Sequence, residues 1–176
     1  MSFGTNPGGV ESQSGVYLAV SEGKNNEDFI VHVVAEAPKQ YKPNAPENPV
    51  KTKPVMVNSG QSIQLVMATA DGRHIDYSIP VNPIEGTAWT EELVSGMLNS
   101  LAECTAVVPG AVDNGIPGSK YSSEGVFLRD ILTRGGWFKI RLGRDKKNPQ
   151  YSRFGRFMEA CAEPDGAEVA EDEIPF

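Results

Sequence analysis

Cysteine, histidine and tryptophan are scarce, with two of each in 176 residues, and the scarcity narrows the chemistry. Cys104 and Cys161 have neither metal-ligand spacing nor the numbers for a disulfide framework, so they read as reduced thiols of a cytoplasmic protein. His32 and His74 each fall inside a strand pattern and are expected to be structural. No HxxxH, HExxH or paired-carboxylate constellation occurs, so no metal site is expected. There is no Gly-x-Ser-x-Gly, and Gly135-Gly136 lacks the helix and the lysine that a phosphate-cradling loop requires. A run of 18 apolar residues is also missing, which argues against a membrane span. The N-terminus carries no charged leader followed by an apolar stretch, so no signal peptide is expected. No internal repeat is visible. Neither an enzyme nor a cofactor is expected from this inventory.

Glycine and proline, by contrast, are plentiful, at 18 and 13 residues, and they cut the chain into short apolar runs. That pattern predicts a mainly β domain. Residues 1–14 are polar and Gly-rich and are expected to be disordered, leaving a domain over 15–158 and a tail over 159–176. Strands are expected at Val16–Val20, Phe29–Ala35, Val55–Val57, Ile63–Thr69 and Arg73–Val81, with Asp71-Gly72 as a hairpin turn. In the last of these, Ile75, Tyr77, Ile79 and Val81 alternate with His74, Asp76 and Ser78, predicting one buried and one wet face. Pro38–Pro54, with five prolines and four lysines, reads as an extended loop unable to supply ladder hydrogen bonds. Thr90 caps a helix whose apolar stripe is Leu93, Met97 and Leu101, with Val94 and Leu98 beside it. Residues 105–119 form a Gly/Pro loop. A second helix, Glu124–Thr133, capped by Ser122 or Ser123, stops at Gly135-Gly136.

Charge is distributed unevenly. The net value is −7, yet residues 120–158 hold ten Lys and Arg against Glu124, Asp130 and Asp145. Residues 159–176 then hold seven acids and no base. A basic block beside an acidic tail points to a polyanion-binding surface.

Within the basic block, Trp137-Phe138-Lys139-Ile140-Arg141-Leu142 sorts itself as a strand. Phe138, Ile140 and Leu142 face a core, while Trp137, Lys139 and Arg141 face the other way. A basic turn follows, with Arg144, Lys146 and Lys147, and then Tyr151-Ser152-Arg153-Phe154-Gly155-Arg156-Phe157. Simple alternation puts Phe154 and Arg156 on the side of Ser152, with Arg153 and Phe157 on the other. Unpaired bases expose π-faces that stack on aromatic rings, and their phosphates need cations alongside. The candidate DNA-binding residues are therefore Trp137, Lys139, Arg141, Arg144, Lys146, Lys147, Tyr151, Arg153, Phe154 and Arg156. Phe138 and Phe157 are assigned to the core, and Arg129 and Arg134 to surface charge. Trp137 as a core indole, and Lys146-Lys147 as an ordinary solvated turn, are the plainer alternatives.

The chain closes on Glu171-Asp172-Glu173-Ile174-Pro175-Phe176. Three acids leading into an apolar hook suit docking, with the Phe ring in a pocket and the carboxylates against Arg or Lys on its rim. Ile-Pro-Phe would end about one chain in ten thousand at background composition. This terminus resembles the acidic tip of bacterial single-stranded DNA-binding proteins, with Glu at two places where Asp is usual. Phage-encoded counterparts also pair a β-barrel with an acidic tail. The resemblance implies an OB-like antiparallel β-barrel with one or two short helices. It further implies sequence-tolerant binding of single-stranded DNA, and recruitment of replication, recombination and repair enzymes through Glu171, Asp172, Glu173, Ile174, Pro175 and Phe176. A phage protein working in a bacterial host cytoplasm, and a possible homo-oligomer, would fit. Two rivals remain: a structural or protein-interaction protein, of a virion or an adaptor, that does not bind nucleic acid, and a nuclease using acids such as Asp71, Asp76 or Asp130.

Overall fold

The computed structural model describes residues 17–37, 51–57, 60–105 and 124–164. The expected disordered N-terminus, most of the proline-rich loop, the 105–119 loop beyond Thr105 (which ends a helix), the Ser122/Ser123 cap and the acidic tip Glu171–Phe176 lie outside those residues. The described chain is mainly β. Four strands come first, β1 (Asn26–Val34), β2 (Lys53–Val57), β3 (Gly60–Ala68) and β4 (His74–Pro80). Helices α1 (Glu91–Thr105) and α2 (Glu124–Arg134) follow, then β5 (Phe138–Arg144) and β6 (Ser152–Ala160).

All strand pairings are antiparallel, in the order β2-β3-β1-β5-β6, with β4 along the opposite edge of β3. Two strands divide their partners. β3 pairs with β2 through Gly60–Gln64 and with β1 through Val66–Ala68. β1 in turn pairs with β5 through Asn26–Val31. The changeover on β3 needs a polar plug, and Thr52 supplies it. Its buried hydroxyl donates to the Val34 carbonyl at 2.7 Å and accepts from the Val66 N–H at 2.8 Å. Neither backbone group is left unpaired where one strand leaves and another arrives.

Local signals account for most boundaries. Gly72 has φ 90° at the tip of the β3–β4 hairpin, and its N–H donates to the Thr69 carbonyl. The Thr90 hydroxyl caps α1 by accepting from the Leu93 N–H at 3.2 Å. Gly135 ends α2 in close contact: a Cβ there would sit 2.5 Å from the Ile131 carbonyl oxygen. Two expectations need correcting. Pro54 belongs to β2 rather than to a loop, and pairs with Ile63; among the described residues no strand pairs with the other edge of β2, so none requires the missing N–H. The buried stripe of α1 centres on Val94, Leu98 and Leu101, with Leu93 exposed.

One core joins the inward faces. Ile63, Leu65 and Met67 of β3, Ile79 of β4, Phe138, Ile140 and Leu142 of β5 and Phe157 of β6 pack with Leu98, Leu101, Phe127 and Ile131 of the helices. Each fully buried side chain of this size contributes about 1.5–3 kcal/mol relative to exposure.

The expected barrel does not close, because no ladder joins β4 to β6 among the described residues. Residues 17–20 occupy that gap. The Leu18 N–H donates to the His74 carbonyl and the Val20 N–H to the Ser152 hydroxyl, each at 2.8 Å. Of the expected Val16–Val20 strand, the described residues 17–20 form one isolated bridge, Tyr17 to His74. This segment also explains why His74, placed on a wet face by alternation, is fully buried.

Candidate nucleic-acid interface

The β5–β6 hairpin carries most of the candidate residues. On β5 the alternation holds: Phe138, Ile140 and Leu142 are fully buried, while Lys139 and Arg141 lie on the opposite, partly exposed face. On β6 it fails twice. Phe157 pairs with Ile140 and Glu159 with Lys139, so Met158 is an extra residue; Phe154 pairs with Leu142 and Arg156 with Arg141, so Gly155 is another. The bulge at Gly155 puts Phe154 and Phe157 on the same inward face, with ring centroids 4.8 Å apart. Phe154 therefore does not share a side with Arg156. Gly155 is required at its bulge, since a Cβ would lie 2.7 Å from the Arg141 carbonyl oxygen. Through the resulting register, Arg156 stands outward opposite Arg141, and exposed Arg153 sits opposite Gly143.

The cations of the hairpin divide by partner. Arg141 holds Asp28 of β1 in a two-pronged pair at 2.7 and 3.2 Å. That guanidinium, helped by nearby Lys139 and Arg156, keeps the Asp28 carboxyl below the usual carboxylate range. Lys139 lies 4.0 Å from Glu159. Arg144 donates to three carbonyls, Ser21 at 2.7 Å, Lys24 at 2.8 Å and Pro149 at 2.6 Å, so it clamps two loops together with three of its five N–H groups. Among the described residues, Lys146, Lys147, Arg153 and Arg156 have no ion-pair partner. The turn holding the two lysines is pinned by Asp145, whose carboxylate accepts from the Lys147 and Asn148 N–H groups. Tyr151, at the start of β6, is 60% exposed.

Trp137 is half-buried just before β5, and its ring lies 4.2 Å from that of His32, tilted by 32°. Burial pushes the His32 imidazole down from its ordinary value, favouring the neutral ring. Arg129 is exposed, and Arg134 pairs with Asp130 along α2, both as expected of surface charge.

Tyr151, Arg153 and Phe154 also line a cleft of about 710 Å³ at the open seam, where they meet Tyr17, Arg73 and Tyr77. Tyr77 of β4 stacks on Phe154 of β6, with centroids 4.2 Å apart and planes 25° from parallel. Sequence reasoning missed Tyr17, Arg73 and Tyr77, because only the strand pairing brings residues so distant in the chain to one rim. A local hint existed in Tyr77, an amphipathic ring on a strand face otherwise filled by Ile75, Ile79 and Val81.

Among the described residues, no three His, Cys, Asp or Glu side chains cluster as metal ligands would, and no helix is long and apolar enough to cross a membrane. Cys104 and Cys161 are free thiols, and burial pushes the Cys104 thiol up to about 11. No family model matches the chain, and neither curated proteins nor solved structures give a match.

Proposed function

We propose that this protein binds single-stranded DNA without reading its sequence, shielding it during replication, recombination or repair in a bacterial cytoplasm, as a phage protein would. The observation that carries this is the β6 side of the hairpin, where Lys146, Lys147, Arg153 and Arg156 have no ion-pair partner among the described residues and flank exposed Tyr151. Unengaged cations beside an exposed ring are what an unpaired strand requires, since backbone charge supplies affinity and stacking tolerates every base.

The order of pairings supports an oligonucleotide-binding barrel left open along one seam. Three strands run as a meander apart from the added β2, helices intervene, and a β5–β6 hairpin returns to the first strand. Folds of this type are partly open barrels that bind through strand faces and the loop of the final hairpin. In this chain that loop contains Lys146 and Lys147. The tip Glu171–Phe176 then serves to recruit partner enzymes, its Phe ring entering a pocket on the partner, and catalysis is no part of the function.

A titration of fluorescent single-stranded DNA, duplex DNA and single-stranded RNA at two salt concentrations tests this. Single strands should bind preferentially, with affinity falling steeply as salt rises. Absence of single-strand binding would instead favour an interaction or virion-structural protein. That second reading draws on the ion pairs of Arg141 and Lys139 and on the sheet-edge strand β2, which exposes Met56 and Val57.

A further inference from the structure

We infer that the cleft at the open seam between β4 and β6 is a pocket for one unpaired nucleobase of the bound strand. The inference rests on the single-strand-binding function proposed above and assigns that function a specific stacking site.

The cleft is built by the same feature that prevents the barrel from closing. Residues 17–20 are held to β4 by the Leu18 N–H on the His74 carbonyl and to β6 by the Val20 N–H on the Ser152 hydroxyl, so both walls are tied to this segment. Its volume, about 710 Å³, lies in the range of small-molecule sites and has room for a base with its sugar. The stacked pair Tyr77 and Phe154 forms one wall. Tyr17 and Tyr151, 41% and 60% exposed, are also in the lining and supply surfaces on which an entering base can stack.

Polar groups in the lining match a nucleotide. Arg153 has no ion-pair partner among the described residues and contributes positive charge for the phosphate. Asp76 provides an acceptor. Each of the four DNA bases carries at least one N–H on its pairing edge, so an acceptor there takes any of them and leaves binding sequence-tolerant. The pocket also continues the charged path, since Tyr151 and Arg153 follow directly on the turn that holds Lys146 and Lys147.

The test compares a dT oligonucleotide with an abasic oligonucleotide of the same length, on wild type, Tyr17→Ala, Tyr17→Phe and the double variant Tyr17→Ala/Tyr151→Ala. Wild type should prefer the strand that carries bases. The double variant should lose about 5-fold or more of that preference, as expected for stacking. Its binding to the abasic strand and its salt slope should not change, and Tyr17→Phe should behave as wild type. If wild type binds dT and the double variant keeps the full preference, the pocket is refuted while the single-strand-binding function stands. If wild type binds neither strand, both fall together.

Discussion

The two strands of one hairpin both carry cations and differ in what those cations touch. On β5, Arg141 is held by Asp28, Lys139 faces Glu159, and Arg144 is engaged with three backbone carbonyls. On the turn and on β6, Lys146, Lys147, Arg153 and Arg156 make no ion-pair contact among the described residues, and Lys147, Arg153 and Arg156 act on Asp28 or Asp145 only at longer range. The β5 cations are tied to neighbours within the fold, and under the proposed function those of the turn and β6 meet the bound strand. A count of basic residues cannot separate these roles; the identity of their neighbours can.

The contrast can be broken by removing the β6 set. Changing Lys146, Lys147, Arg153 and Arg156 together to Ala should weaken binding of a dT oligonucleotide by on the order of a few hundred-fold at 0.1 M salt, at a salt slope of roughly 0.7 per contact. Circular dichroism and thermal melting should show the fold intact. If affinity falls less than ten-fold, the assignment of roles is wrong.

On the other strand the expected effect is on stability. Arg144→Ala removes three charge-assisted hydrogen bonds at a partly exposed site and should destabilise the fold by about 1–3 kcal/mol in urea titrations. The salt slope of DNA binding should stay as it was. A stable variant with a reduced slope would move Arg144 into the binding set.

Asp28→Asn sharpens the comparison by releasing Arg141 from its partner. Binding should then tighten several-fold at 0.1 M salt and the slope should rise by up to roughly 0.7, because one more guanidinium can meet a phosphate. An unchanged slope would mean that Arg141 points away from the strand even when freed.

The smallest effects come from pH. Asp28 is held below its ordinary value, so its ion pair is intact above the carboxylate range and is lost only as pH falls through and below that range. Between pH 6 and 8 it adds no pH dependence. His32 is also held low, by burial, so the folded state disfavours its protonation. Stability is therefore full above the unfolded imidazole value and declines as pH falls below it. A small drop in melting temperature from pH 7.5 to 5.5 should shrink in His32→Phe; an undiminished drop would remove His32 as its source.

Much of the fold was legible because its signals are local. Alternation on β4 and β5, the Asp71-Gly72 turn, the Thr90 cap and the Gly135 stop all act within a few residues. What escaped depends on distant parts of the chain. The bulge at Gly155 separated Phe154 from Arg156 and put it on the side of Phe157, because register is set by pairing with β5 and a strand pattern read alone assumes an unbroken period of two. His74 was misassigned because residues 17–20 cover it. Asp28, the acid that engages Arg141, lies 113 residues earlier in the chain. The candidate site was thus legible as a set of residue types, and its division into engaged and unengaged cations was not.

The most direct test is the salt dependence of dT oligonucleotide binding for two double variants measured side by side, Arg153→Ala/Arg156→Ala and Lys139→Ala/Arg141→Ala. The first should lower the slope by roughly 1.4, two contacts at the single-strand figure, and the second by much less. Equal losses, or a larger loss from the β5 pair, would contradict the division between the two strands.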